Sequence, residues 1–261
     1  MSRNTLSTRS LMFSASGALL LAITATALID RLQLDLALAR WIYQLEGNRW
    51  SLRDQWLLSE LLHHRGRQLS ITLLAAFASL LIASLWAPRL RSWRIPLTYL
   101  VLSPLCASGL VLLGKQITGV ECPWSQQPFG GDLAYHSLWQ QLFSRDSTGR
   151  CFPAGHASAG YAWLALYFAA TACCPQWRLT ALCLALGLGL IFGITQQLRG
   201  AHFLSHDIWS LALCWASNAL LAYGLLCRKT DCGARSHSTI MQELPAAEPQ
   251  PHVPTCRTAG R

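Results

Sequence analysis

Six stretches of the chain carry no charged side chain, and each has the length of a helix that crosses a bilayer. They lie between Arg9 and Asp30, Arg67 and Arg89, Arg94 and Lys115, His156 and Arg178, Arg178 and Arg199, and Asp207 and Arg228. About 20 residues of helix span the hydrocarbon core, and a helix satisfies its own backbone polar groups there. The pattern predicts transmembrane helices at roughly 11–29, 69–87, 95–114, 157–174, 179–196 and 208–227. Helices of a soluble bundle alternate polar and apolar faces; these stretches largely do not. The first stretch has a second reading as a signal peptide, because basic residues precede it and Ala25-Thr26-Ala27 resembles a cleavage site. Its apolar run is long for that role. The expected fold class is all-α, a six-transmembrane-helix bundle over residues 1–229. Residues 230–261 lack periodicity and read as a disordered cytoplasmic tail.

Between the spans, segment 31–45 has apolar residues at helical spacing with Arg31, Asp35 and Arg40 among them. It is read either as a helix lying flat on the outer interface or as one packed on the bundle. Trp86, Trp93, Trp124, Trp139 and Trp177 fall at or just beyond span ends, where amphipathic rings settle.

Composition agrees with the membrane reading: 52% of residues are hydrophobic and only 13% charged, well below the charge share of soluble domains. The formal net charge of +9 is mostly a matter of sidedness. With an even number of spans both termini share a side. That side carries Arg3, Arg9, Arg89, Arg91, Arg94, Arg178, Arg228 and Lys229 without acids in its short segments, whereas loop 30–68 dilutes its arginines with Asp30, Asp35, Glu46, Asp54 and Glu60. The bias in basic residues places the termini in the cytoplasm and loops 30–68, 115–156 and 197–207 outside. No basic stripe interleaved with aromatics occurs in a soluble segment, so a nucleic-acid partner is not expected.

Cys122 and Cys151 are the two cysteines in the outer loops. In an oxidising compartment they are candidates for a disulfide that closes loop 115–156 at its base. Cys106, Cys173, Cys174, Cys183 and Cys214 lie in spans and are read as packing residues. No cysteine or histidine group has metal-site spacing, so no metal is expected.

The outer ends of spans three to six bring polar residues to one membrane face: Lys115, His156, Arg199, His202, His206 and Asp207. Two cations and several imidazoles with few acids suit an anionic ligand. Pro153-Ala154-Gly155-His156 leads into span four. Free N–H groups and the positive dipole end at a helix start favour phosphate-like anions, and Gly155 lets the backbone approach closely. His156 there is placed to give a proton to a leaving oxygen.

Taken together, these segments resemble the type 2 phosphatidic acid phosphatase superfamily, which carries the motifs Lys-x6-Arg-Pro, Pro-Ser-Gly-His and Ser-Arg-x5-His-x3-Asp. The first appears as KQITGVECP, with Lys115 and Pro123 in place and Cys122 where arginine is expected. The second is PAGH, Pro153 to His156, with Ala154 for serine. The third is TQQLRGAHFLSHD, Thr195 to Asp207. Gly200-Ala201-His202 matches the glycine-x-histidine step and puts His202 at the nucleophile position. The expected arginine falls on Gln196, and Arg199, one turn later on the same helical face, is its candidate substitute. The expected aspartate falls on His206, one residue before Asp207; either of these two orients His202. Arg150 is a candidate replacement for the charge missing at Cys122.

The resemblance implies an integral-membrane, metal-independent phosphoric ester hydrolase without a cofactor. His202 attacks phosphorus and forms a phosphohistidine, and His156 serves as acid and then base. Lys115, Arg199 and Arg150, with the backbone at Ala154 and Gly155, hold the phosphate oxygens. The implied substrate is a lipid phosphate or an isoprenyl diphosphate, entering sideways from the outer leaflet. The implied place is a bacterial-type inner membrane, with the site on the periplasmic face. A lipid phosphotransferase using the same intermediate, and a non-catalytic membrane scaffold of the same fold, are the alternatives.

Overall fold

A computed structural model describes residues 8–58, 65–144 and 148–227. The tail 230–261, together with Arg3, Glu60, Arg228 and Lys229, lies outside the described residues. The described chain is helical; its one β-feature is an isolated bridge between Gln126 and Leu133. The elements are α1 (Thr8–Arg31), α2 (Leu34–Leu45), α3 (Gly66–Ala83), α4 (Arg94–Ile117), α5 (Leu138–Phe143), α6 (Gly155–Tyr161), α7 (Ala165–Cys173), α8 (Arg178–Leu198) and α9 (Leu204–Ala222).

Five helical segments among the described residues are long and apolar enough to cross a membrane: Thr8–Arg31, Gly66–Ala83, Pro88–Ile117, Pro175–Leu198 and Leu204–Cys227. At 1.5 Å per residue, a helix the length of α1 reaches ~36 Å, more than the ~30 Å hydrocarbon core. Large apolar side chains point outward from these helices, among them Phe13 at 77% exposure and Leu21 at 69%. Such a belt is expected of lipid-facing surface and foreign to a water-facing one.

The remaining expected span, 157–174, is not one helix. It is α6, a 3₁₀ turn over Ala162–Leu164, and α7. This segment is also the most enclosed of the apolar runs: Ala157, Tyr161, Ala162, Trp163, Leu164, Ala165 and Phe168 are all buried. Its small residues explain both facts. A Cβ on Gly160 would sit 2.5 Å from the Gly189 backbone nitrogen, so α6 and α8 touch main chain to main chain. Where the helix is interrupted, the Ala162 carbonyl accepts from Asn218 Nδ2 at 3.2 Å. Ser103 Oγ donates to Asn218 Oδ1 at 2.5 Å and Tyr99 Oη to the Asn218 carbonyl at 3.0 Å. This buried network ties α4, α9 and the 3₁₀ turn together and supplies the partner that an interrupted helix needs in an apolar medium.

Helix α1 packs along α9, with Trp215 Nε1 donating to Ser14 Oγ at 2.7 Å. Helices α3 and α4 are joined by a short 3₁₀ turn, Pro88–Trp93, so the start of α3 and the end of α4 lie at one end of the bundle. Arg94 closes the other end of α3, donating from Nε and Nη2 to the Ser84 carbonyl at 2.9 and 2.7 Å.

Helix α2, in segment 31–45, packs on the bundle along one face, while Leu34, Trp41 and Leu45 on it stay exposed. It buries Asp35, Ala39 and Ile42, and Ala39 joins a cluster with Phe129 and Phe203 at the mouth of the bundle. Tyr43 and Trp50 close the same cluster, with ring centroids 5.2 Å apart.

Candidate active site

Two loops and the end of α4 meet at that mouth. Cys122 and Cys151 are joined by a disulfide, Cα to Cα 5.2 Å. It ties the segment after α4 to the segment before α6. Residues 152–154 are pinned further: Thr118 Oγ1 donates to the Phe152 carbonyl at 2.7 Å, and Ser210 Oγ to the Ala154 carbonyl at 3.1 Å. The Ala154 N–H donates to the His206 carbonyl at 3.3 Å. That N–H, read from sequence as a phosphate donor, is thus engaged within the protein.

Lys115 sits in the last turn of α4. Its chain lies over Gly155, where a Cβ would stand 3.2 Å from Cδ and 3.4 Å from Nζ. A Cβ at 155 would ask the flexible end of Lys115 to give by a few tenths of an ångström. His156 follows and packs on Phe192, centroids 4.7 Å apart and planes 35° apart.

His202 lies in the turn between α8 and α9 and is 6% exposed. Its Nδ1 is 3.4 Å from His206 Nδ1. Burial pushes the His202 imidazole well below its ordinary value of 6.5; the charges of His206, Lys115 and His156 push the same way, and a backbone hydrogen bond at Cys151 opposes them. The group is neutral at physiological pH, and the same interactions show that Lys115, His156 and His206 all lie within electrostatic reach of it.

The other candidates are placed differently. Asp207 accepts from Gln197 Nε2 and lies against Gly193, where a Cβ would come within 2.7 Å of its Oδ2. Of the two alternatives for orienting His202, His206 is therefore the one whose ring nitrogen reaches it. Arg199 donates from Nε to the Arg53 carbonyl at 2.7 Å and from Nη1 to Gln196 Oε1 at 3.4 Å. Its guanidinium is held by loop 30–58 and not by the His202 cluster. Arg150 is exposed.

A cavity of about 480 Å³ lies between α3, α4 and α6. Ile71 and Leu74 of α3, Leu105 and Leu112 of α4, and Trp163 line its length; Arg67, Lys115, Gly155 and His156 also line it, and no lining residue is acidic. Residues 104 and 115, both on its wall, are separated by ~16 Å of helix at 1.5 Å per residue. Sequence reasoning passed over Arg67 because it compared only the outer ends of spans three to six. Its signal was available: it is the charge that opens the second uncharged stretch, at the same end of the bundle as Lys115. Asp35 was also passed over. It is 8% exposed, and its Oδ1 accepts from the Ser205 N–H at 3.0 Å.

An all-helical chain with membrane-length apolar helices gathers a lysine and three histidines at one end of the bundle, beside an apolar cavity. The PAP2 superfamily model matches residues 92–227, and the chain belongs to that superfamily, whose members are generally phosphatases. No curated protein matches the chain, and no solved structure does.

Proposed function

We propose that the protein is a multi-pass membrane phosphatase that hydrolyses a lipid phosphate or isoprenyl diphosphate at the extracytoplasmic face of a bacterial-type inner membrane. The observation that carries this reading is the cavity: apolar along its length, lined by Lys115, Gly155 and His156, and within electrostatic reach of His202. A lipid chain lies in such a groove while its phosphoryl group meets the cations. On this reading six crossings, counting the interrupted α6–α7 segment, put both termini on one side, and the bias in basic residues makes that side the cytoplasm.

The chemistry follows from protonation states. A neutral His202 that donates its Nδ1–H to His206 Nδ1 carries its lone pair on Nε2. Nε2 attacks phosphorus, the bond from phosphorus to the leaving oxygen breaks, and protonated His156 gives its proton to that oxygen. Neutral His156 then takes a proton from water as the water oxygen attacks the phosphohistidine. Inorganic phosphate leaves and His202 returns to its neutral form. Lys115 offsets charge on the phosphoryl oxygens throughout. By analogy with one oxyanion donor, such a cation contributes about 3 kcal/mol to the transition state.

The test is release of phosphate from a panel of lipid phosphates by the detergent-solubilised protein, with chelator present. Wild type is expected to be active and His202→Ala to lose at least about a thousandfold, the range seen when a nucleophile is removed. Equal release by the two proteins would remove His202 from the reaction.

A further inference from the structure

The charge balance of the site is incomplete as the sequence motifs describe it. Cys122 stands where a cation is expected and is locked into a disulfide with Cys151. Arg150 does not line the cavity. Arg199 spends its guanidinium on the Arg53 carbonyl and Gln196. That leaves Lys115 as the permanent cation from the motif set in a cavity meant for a doubly charged phosphoryl group.

Arg67, itself exposed, does line that cavity. Its position is set by packing on the histidine motif. The preceding Gly66 packs on Phe192, where a Cβ would meet ring carbon Cζ at 2.5 Å, and Phe192 also packs on the His156 ring, centroids 4.7 Å apart. Glycine at 66 thus lets the start of α3 close against the ring that seats His156. One turn on, Ser70 Oγ donates to the Ala159 carbonyl at 3.1 Å and accepts from Trp163 Nε1 at 2.8 Å, which fixes the face of α3 that α6 meets. Arg67 opens the α3 wall and Lys115 closes the α4 wall, at the same end of the bundle. A guanidinium offers a planar fork of donors that matches phosphoryl oxygens.

We propose that Arg67 is a substrate-binding cation that contacts phosphoryl oxygens from the α3 side and restores the positive charge absent at Cys122. The inference rests on the reading of the cavity as a phosphoryl site. Arg67 meets either the reacting phosphoryl group or the second one of a diphosphate; the chemistry of contact is the same.

The experiment measures binding of inorganic phosphate and of pyrophosphate by calorimetry, on the full chain in detergent with chelator present and in a His202→Ala background, so that no turnover intervenes. Arg67→Ala and Arg67→Gln are expected to weaken binding about tenfold, equivalent to about 1.4 kcal/mol, with Arg67→Lys recovering part of the loss. Arg91→Ala, in the turn at the opposite end of α3, serves as the control for net charge and keeps wild-type affinity. A loss equal for both anions assigns Arg67 to the reacting phosphoryl group, and a larger loss for pyrophosphate assigns it to the second; both support the contact. Unchanged affinity in Arg67→Ala and Arg67→Gln would overturn it while leaving the phosphatase reading intact. Absence of anion binding by the parent, with no lipid phosphate hydrolysed by wild type, would overturn that reading and this inference with it.

Discussion

At the scale of single residues, the site is governed by which groups stay neutral. His202 is buried beside Lys115, His156 and His206, and its imidazole is held well below 6.5. The unfolded chain binds a proton at this residue near 6.5, whereas the folded chain resists it. Between 6.5 and the depressed folded value the unfolded state therefore binds more protons, and stability falls as pH falls through that window. The thermal midpoint in detergent is expected to drop as pH is lowered below 6.5, and to drop less in His202→Gln, which removes this titration. Parallel declines in the two proteins would contradict a neutral buried His202. Much at this scale was legible in the sequence. Lys115, His156 and His202 stood out because apolar spans have little use for such residues at their ends. The partners were less legible. His206 and Asp207 are adjacent, and no linear pattern says which one faces His202. The answer lies in Gly193, whose missing side chain leaves the space that Asp207 occupies.

At the scale of elements, the first turn of α9 carries His206 and follows directly on the turn that carries His202, and it lacks its own cap. Phe203 stands at its N-cap and offers no acceptor; instead, Asp35 reaches across from α2 to the Ser205 N–H. A capping acceptor contributes on the order of 1 kcal/mol, and hydrogen bonds to charged groups somewhat more. Here that contribution also fixes the turn from His202 to His206. Asp35→Ala is expected to lower kcat about tenfold with little change in KM and to speed hydrogen exchange at the Ser205 amide. Asp35→Asn, which keeps an acceptor, should recover most of both. Asn behaving like Ala, or kcat unchanged while only the thermal midpoint falls, would reduce Asp35 to a general packing role. The amphipathic pattern of 31–45 foretold a helix but not its partner, because a membrane surface and a protein surface select the same stripe of apolar residues. The break in 155–173 was equally hidden: hydropathy there is unbroken, and the carbonyl at the interruption, Ala162, accepts from Asn218 Nδ2, more than fifty residues away.

At the scale of the whole molecule, sidedness decides whether the site can meet its substrate. The turns Pro88–Trp93 and Pro175–Trp177, with Arg89, Arg91, Arg94 and Arg178 in or beside them, lie at the ends of α4 and α8 opposite Lys115 and His202. Arg94 complicates a simple count of charges, since it also closes α3 through the Ser84 carbonyl and would be kept for packing alone. The disulfide is independent of that count. Cys122 and Cys151 bracket the site, and a bond of this kind persists where thiols are oxidised. Both lines agree with the proposed placement of the histidine end outside, and one labelling experiment tests them together. In sealed cells, a membrane-impermeant maleimide should modify Cys122 and Cys151 only after brief reduction. A cysteine introduced as Leu90→Cys, in the turn at the far end of the bundle, should react only once the membrane is opened. Labelling of Leu90→Cys in sealed cells, with Cys122 and Cys151 protected after reduction, would invert the topology and put the histidines on the cytoplasmic face.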